Sequence, residues 1–301
     1  FGTESCCEVG HEIAVDSSGN VYTVGAFHGT TDFDPGAGTA NLTVNGFEDA
    51  FVLKLDSSGN YVWAKSFTGT GNVIANSMVL DLSGNIYTTG YFTETADFDP
   101  GAGTANLTSN GSSELTPYDA FVSKLDSSGN YVWAKSFGDT SNDFANSVVV
   151  DSSGNVYTTG IFSGTTDFDP GAGTANLTSN GSNDAFVLKL DSSGNYVWAK
   201  SFGGTSGDSA ASVAVDSSGN VYTAGYFKKT VDFDPGAGTA NLTADDFLDE
   251  DAFVSKLDSS GNYVWAKGFG GSSSRTSASF VALDSSGNVY TTGYFKNTAD
   301  F

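Results

Sequence analysis

Ser212-Val-Ala-Val-Asp-Ser-Ser-Gly-Asn-Val-Tyr-Thr-Ala-Gly-Tyr-Phe227 is two short apolar segments around an Asp-Ser-Ser-Gly-Asn pentapeptide. Gly supplies the positive φ that a tight loop needs, and the Asp carboxylate accepts hydrogen bonds from the backbone N–H groups that follow it. The flanks are rich in Val, Tyr and Thr, residues that fit a pleated surface. The stretch therefore reads as a β-hairpin. The pentapeptide begins at Asp16, Asp56, Asp126, Asp151, Asp191, Asp216, Asp258 and Asp284, with the variant Asp-Leu-Ser-Gly-Asn at Asp81.

These nine copies are of two alternating kinds, five like the one quoted and four flanked by Asp-Ala-Phe-Val-Leu/Ser-Lys-Leu and Tyr-Val-Trp-Ala-Lys. In the second kind apolar and polar residues alternate: Phe186, Leu188 and Leu190 point one way, Val187 and Lys189 the other. No stretch has a sustained 3.6-residue period, so nine hairpins predict about eighteen strands and no helix. The two-hairpin unit recurs at 65, 70, 65 and 68 residues, measured between Asp16, Asp81, Asp151, Asp216 and Asp284. A four-stranded antiparallel sheet repeated at such a period, with no helix between copies, predicts an all-β fold, a β-propeller whose blades bury their faces against one another. An open solenoid is the competing solution, but its coils are usually shorter and its strands parallel.

The run from Ser212 to Phe227, through Asp232-Phe-Asp-Pro-Gly236 to Asp251-Ala-Phe-Val-Ser-Lys-Leu-Asp258 and Tyr263-Val-Trp-Ala-Lys267, resembles the bacterial SBBP-type β-propeller repeat, a relative of NHL-type blades. The resemblance covers nearly the whole chain. It implies that Ser-Val-Ala-Val is the innermost strand of a blade and Tyr-Val-Trp-Ala-Lys the outermost, and that the protein is secreted or displayed on a bacterial surface. On that order, one propeller region spans 1–301, with blades at about 11–67, 76–137, 145–202 and 211–269 and a partial blade at 277–301. At least five blades are implied, four complete and one half. Phe1-Gly2 matches Phe137-Gly138 and Phe202-Gly203, so the text is expected to open at the end of an upstream blade.

Twelve Lys plus Arg against 35 Asp plus Glu give a net charge of −23, a field that repels nucleic acids and anionic lipid. No apolar run approaches the ~20 residues of a membrane span. Nucleic-acid binding and membrane insertion are excluded as expectations; cations, glycans and basic protein surfaces remain as partners, with self-association or other surface proteins expected.

The most conspicuous motif outside the hairpins is Asp-Phe-Asp-Pro-Gly-Ala-Gly-Thr-Ala-Asn-Leu-Thr. Its paired carboxylates are Asp32 and Asp34, Asp97 and Asp99, Asp167 and Asp169, and Asp232 and Asp234. Two carboxylates two residues apart before a Pro-Gly turn form the start of a Ca²⁺ clasp, which wants six to eight oxygens. The twelfth position is Thr43, Thr108, Thr178 or Thr243, not the bidentate Glu of an EF-hand, so another acid, such as Asp49, Asp119, Asp184 or Asp251, has to complete the set. The alternative is that the Asp residues tie down their own loop. Ca²⁺ is the one cofactor the sequence suggests.

Trp63, Trp133, Trp198 and Trp265 recur once per blade; packing between blades explains that regularity more simply than a sugar platform. Lys65, Lys135, Lys200 and Lys267 follow two residues later and are expected to pair with carboxylates. Cys6 and Cys7 are the only cysteines and read as loop thiols without a shared role. His11-Glu12 has no partner histidine, Lys228-Lys229 reads as a charged surface turn, and the Asn-Leu-Thr sequons at Asn41, Asn106, Asn176 and Asn241 read as incidental. Insertions at Glu114-Leu-Thr-Pro-Tyr118 and Ala244 to Asp251, and the junction Gly271 to Thr276, are the main departures from repetition.

Catalysis needs one place where acid, base or nucleophile differs from the repeated background, and none emerges, so the chain reads as a non-enzyme. The first functional reading is a secreted or cell-surface structural module that self-associates. The second is a glycan- or protein-binding propeller, adhesin- or lectin-like; a carbohydrate-active lyase or hydrolase is third.

Overall fold

All nine pentapeptides close as hairpin turns. In the first, Asp16 Oδ1 accepts the N–H groups of Ser18 and Asn20, both at 2.9 Å, while Asp16 Oδ2 accepts the Asn20 side-chain amide at 2.7 Å. The Asp-to-Asn clasp recurs in every copy. The Gly of each turn has φ between 78° and 81°, a left-handed conformation that a side chain disfavours. This computed structural model describes residues 8–110, 117–244, 250–271 and 275–301. Cys6 and Cys7, Phe1-Gly2, most of the Glu114 insertion, the acidic run after Ala244 and Ser272 to Ser274 lie outside the described residues.

The hairpins assemble into four antiparallel sheets. The first blade holds Val9–Val15, Val21–Phe27, Asp49–Leu55 and Tyr61–Gly69 in that spatial order. The second holds Val73–Leu80, Ile86–Phe92, Asp119–Leu125 and Tyr131–Phe137. The third holds Phe144–Val150, Val156–Phe162, Asp184–Leu190 and Tyr196–Phe202, and the fourth Ser209–Val215, Val221–Phe227, Asp251–Leu257 and Tyr263–Phe269. A last hairpin pairs Thr276–Leu283 with Val289–Phe295. These are the eighteen expected strands, and no helix occurs among the described residues.

Eight further strands, three residues each, were not expected. They form a small ribbon inside each long connection, as in Thr30–Asp32 with Asn41–Thr43. The ribbon of the second connection adds to the edge of the first blade through Thr68↔Asp97 and Gly69↔Ala96, making that sheet six-stranded.

The chain divides into two compact units, Phe1–Ala145 and Asn146–Phe301. In the first, Tyr22, Val52 and Phe67 of one blade pack with Met78, Ile86 and Phe121 of the next. In the second, Tyr157, Val187 and Phe202 pack with Val213, Val221 and Phe253. Alternation along the third strand therefore does not separate core from solvent: Phe186, Val187, Leu188 and Leu190 are all 0% exposed. Stacking covers both sheet faces, and each buried side chain of this size contributes ~1.5–3 kcal/mol.

A β-bulge in the first strand ties one blade to the next. The register slips between Gly10 and Glu12, Ala75 and Ser77, and Ala210 and Ser212, which leaves His11, Asn76 and Ala211 as the extra residues. The bulge brings a first-strand carbonyl so near the second strand that a Cβ on Gly25, Gly90 or Gly225 would lie 1.8 to 1.9 Å from it. It also aims the extra side chain at the following blade. His11 Nδ1 donates to the Ala75 carbonyl at 2.8 Å, and Asn76 Nδ2 donates to Ala145 at 2.9 Å. In the second unit Asn146 Nδ2 donates to Ala210 at 2.9 Å. The neighbouring residue accepts in return: Glu12 Oε2 from Met78 N, Ser147 Oγ from Val213 N and Ser212 Oγ from Val281 N.

Candidate functional site

The Asp-Phe-Asp-Pro-Gly motif is built around its Phe. Phe33, Phe98, Phe168 and Phe233 are 0% exposed and pack against the Phe that ends the second strand and the Phe of the third, as Phe98 does with Phe92 and Phe121. The flanking carboxylates close the loop over this anchor. Asp32 Oδ1 accepts Asp34 N at 3.0 Å and Ala40 N at 2.8 Å, which holds its carboxyl below the usual range, and Asp34 Oδ1 accepts Gly36 N at 2.7 Å. Asp97 with Asp99, Asp167 with Asp169, and Asp232 with Asp234 repeat the arrangement. The structure thus brings each expected pair together, but around its own backbone. The further acids are not added to it: among the described residues no three His, Cys, Asp or Glu side chains converge as a metal-binding group.

Each Trp packs edge-on against the Tyr of its blade's second strand, as Trp198 does on Tyr157 at 6.3 Å, and Trp198 Nε1 donates to Ser259 in the next blade. Trp133 and Trp198 are 8% exposed, which makes them core and not platform. Lys65 and Lys200 lie near Asp126 and Asp258 and favour their charged forms. An ion pair at this end joins Lys256 to Asp216 at 3.9 Å. A polar cleft of about 340 Å³ between turns of the second unit holds Asp151, Asp216, Tyr157 and Lys189. Its groups satisfy one another: Tyr157 donates to Asp151 at 3.1 Å, and Lys189 sits over the Tyr157 ring while donating to Ser259 O.

The opposite end of each blade, where the long connections and junctions lie, differs from blade to blade. One residue follows the Phe of the second strand and one precedes the Asp of the third, and the two meet or share a neighbour. In the first blade they are His28 and Glu48, 4.0 Å apart, with His28 against the 71%-exposed Phe47. In the second they are Thr93 and Tyr118: Thr93 Oγ1 accepts Asn72 N, the Asn72 side chain donates to the Tyr118 hydroxyl, and the Tyr118 ring meets Tyr91 edge-on and Phe144 at a tilt. In the third Ser163 donates to Asn183 at 2.7 Å, and in the fourth Lys228 pairs with Glu250 at 3.0 Å. An ion pair, an aromatic cluster and a hydroxyl–amide pair thus occupy one structural position. Sequence reasoning missed it because about twenty residues separate the members; aligning the residue after Gly-x-Phe and the one before Asp-Ala-Phe-Val across repeats would have revealed it.

Directly beneath lie Asp49, Asp119 and Asp184, all 0% exposed. Asp49 accepts Gly69 N at 3.0 Å and Asn45 N at 2.8 Å, yet burial still raises its pKa above the ordinary Asp value. Burial pushes Asp119 up to about 7, against hydrogen bonds from the Asn110 backbone and side chain, with the Asp139 charge adding to the rise. Asp184 is pushed up to about 6 by the same cause. Nearby Asp208 also reaches about 6, burial outweighing donation from Gly204 N and Lys228 N.

The profile of the SBBP beta-propeller repeat matches residues 132–160, 197–226 and 264–294. The chain carries SBBP repeats. Each matched segment begins in the fourth strand of one blade and ends in the second strand of the next. An SBBP repeat thus spans the junction between blades, where the bulge clasp and the buried acids sit. Among curated proteins, the chain is 25% identical over 215 residues to an uncharacterized WD repeat-containing protein of Acanthamoeba polyphaga mimivirus, covering 63% of this chain and 15% of that protein. It is 32% identical over 117 residues to the regulatory protein FlaEY of Caulobacter vibrioides, covering 39% of this chain and 12% of that one. The chain therefore spans only a small part of the length of these relatives. Among solved structures, Sqt1 from Chaetomium thermophilum aligns with 91% of this chain and 74% of its own at 12% identity and a TM-score of 0.34.

Proposed function

We propose that the chain is a non-catalytic β-propeller scaffold that binds other proteins through the loop ends of its blades. It works outside the cell, as the SBBP resemblance implies. The observation that carries this reading is the chemical variety gathered at the loop ends of an otherwise repetitive framework: His28 with Glu48, Thr93 with Tyr118, Ser163 with Asn183, and Lys228 with Glu250. A fold reused without change can present different groups in register, which suits recognition better than a reaction that needs one acid and one base. The WD-repeat name of one relative agrees with an interaction role. The turn ends, whose carboxylates and amides partner one another, supply the stability.

Selection from a random peptide library displayed on phage tests this reading. Peptides captured by the wild-type chain are expected to lose binding to a loop-end variant, Phe47→Ala with Lys228→Ala. They are expected to keep it with a turn-end variant, Ser17→Ala with Ser218→Ala. The reverse pattern would overturn the proposal. Self-association is the second reading, supported by the regularity of the blades; sedimentation over a hundredfold concentration range is expected to show a growing species if it holds.

A further inference from the structure

In every complete blade the third strand covers the second in one register, Val156↔Leu190, Gly160↔Phe186 and Phe162↔Asp184 in the third blade and the same pairing in the others. Val289–Phe295 is a second strand of this kind and differs from Ile86–Phe92 only at its first residue. It pairs with Thr276–Leu283, and its other edge has no strand beside it among the described residues. Six residues of Ile86–Phe92 are buried, whereas none of Val289–Phe295 is. The difference comes from what lies alongside, since the residues are nearly the same. We propose that this edge binds a strand of sequence Asp-Ala-Phe-Val-Leu/Ser-Lys-Leu supplied by another protein chain, in the register that third strands use. The site is separate from the loop-end pairs and does not depend on them.

The edge is shaped for the Phe of such a strand. In the fourth blade Phe253 of the third strand lies opposite Gly225 and sits 5.5 Å from Phe202 and 4.9 Å from Phe233. The rings at the corresponding positions of the last hairpin are Phe269 and Phe301, 6.3 Å apart. With Ala252, Ala278, Gly293 and Phe295 they line an apolar cleft of about 370 Å³. Phe301 already meets Phe295 at 5.6 Å and 77°, as Phe98 meets Phe92 at 5.6 Å and 85°. Phe98 is 0% exposed where Phe121 completes the cluster, and Phe301 is 77% exposed. A Phe arriving opposite Gly293 covers both rings, and burial of aromatic surface drives the association.

Two further contacts fix the register. Thr89 and Thr159 donate through Oγ1 to the carbonyls of Phe121 and Phe186, and Thr292 stands at the same position with its side chain exposed. Lys54, Lys124, Lys189 and Lys256 lie 4.7 to 5.0 Å over the rings of Tyr22, Tyr87, Tyr157 and Tyr222. Tyr290, oriented by donation to Asp284 Oδ2 at 3.2 Å, offers the corresponding ring to the Lys at the sixth position of the incoming strand. Backbone N–H and C=O groups of the edge supply the main-chain bonds, and these pockets choose the sequence. The third strands of this chain are each paired on both edges, so a second copy could donate one only by opening a blade. The partner that fits is a different chain with an unpaired strand of this sequence.

The test is fluorescence anisotropy of a labelled synthetic peptide with the sequence of residues 119–135, titrated with the chain. Saturable binding is expected. Phe121→Ala in the peptide is expected to weaken it about tenfold or more, and Lys124→Ala about two- to fivefold. In the chain, Phe301→Ala changes an exposed ring outside the complete blades and is expected to weaken binding about tenfold, while Phe47→Ala at a loop end leaves it unchanged. Hydrogen exchange is expected to slow at the amides of Val289–Phe295 when the peptide is added. No binding, equal binding of a scrambled peptide, full affinity in Phe301→Ala, or equal loss in Phe47→Ala would overturn the inference. So would protection of the same amides by raising the concentration of the chain alone, which would give the edge to a second copy.

Discussion

The carboxylates at the two ends of a blade respond to folding in opposite senses. At the turn end, burial acts to raise the pKa of Asp151, but hydrogen bonds from the Asn155 side chain and backbone, Ser153 N and Tyr157 outweigh it and hold the pKa below its ordinary value. Asp16, Asp81 and Asp216 do the same. At the loop end, Asp119 and Asp184 are buried with fewer donors, and the Oδ1 atom of each has no hydrogen-bond partner. A blade is thus anchored by charge at one end and strained by it at the other. The anchored end is where the repeats agree, and the strained end is where they differ.

The largest expected effect comes from the strained end. Between the ordinary Asp value of 3.8 and about 7, folded Asp119 holds a proton that the unfolded chain has released. Stability therefore falls as pH rises through that window, by on the order of 2–4 kcal/mol for a fully buried group. Asp184 and Asp208 act likewise up to about 6. The turn-end aspartates have the opposite sign: the unfolded chain takes up their protons first, so stability falls as pH drops below 3.8. Urea denaturation from pH 3 to 8 is expected to show a maximum near pH 4 to 5, and Asp119→Asn is expected to flatten the alkaline limb. A stability that rises from pH 5 to 8 would break the comparison.

A smaller effect is expected at the anchored end. Asp151→Ala removes the acceptor for two backbone N–H groups, the Asn155 amide and the Tyr157 hydroxyl. A cost of about 1–2 kcal/mol is expected in the same denaturation assay. Asp284→Ala, whose turn is exposed, is expected to cost less than half of that. Equal costs would show that burial adds nothing to these turns.

The smallest effect sharpens the assignment of the Asp-Phe-Asp loops. Their carboxylates already serve Ala40 N and Gly36 N and their equivalents, so millimolar Ca²⁺ is expected to leave the melting temperature unchanged within about 1 °C by calorimetry. A rise of several degrees that a chelator reverses would restore the calcium reading of Asp32, Asp34 and their repeats.

How much of this was legible in the sequence depended on distance along the chain. The turns were read correctly because their donors and acceptors lie within six residues, from Asp16 to Tyr22. The ribbons were missed because three-residue strands such as Asn41–Thr43 carry too little pattern to stand out from a loop. The pairing of His28 with Glu48 and the burial of Asp119 were invisible because they arise only when distant strands pair and the blades pack together. The acid expected to complete a metal site was instead drawn inward by the strand that carries it.

The bulge clasp bears on how such a protein grows. Asn146 carries the donor for the blade ahead, while Ala145, one residue earlier, offers the carbonyl that the blade behind has used. Plug and socket are adjacent in one repeat, so a duplicated copy arrives ready to join both neighbours with no compensating change elsewhere. The His11 variant shows that the plug can be exchanged for another donor, and Ala211 that the bulge forms without one. The joint also has a direction, so an array built from it is polar, with donor and acceptor left at opposite ends.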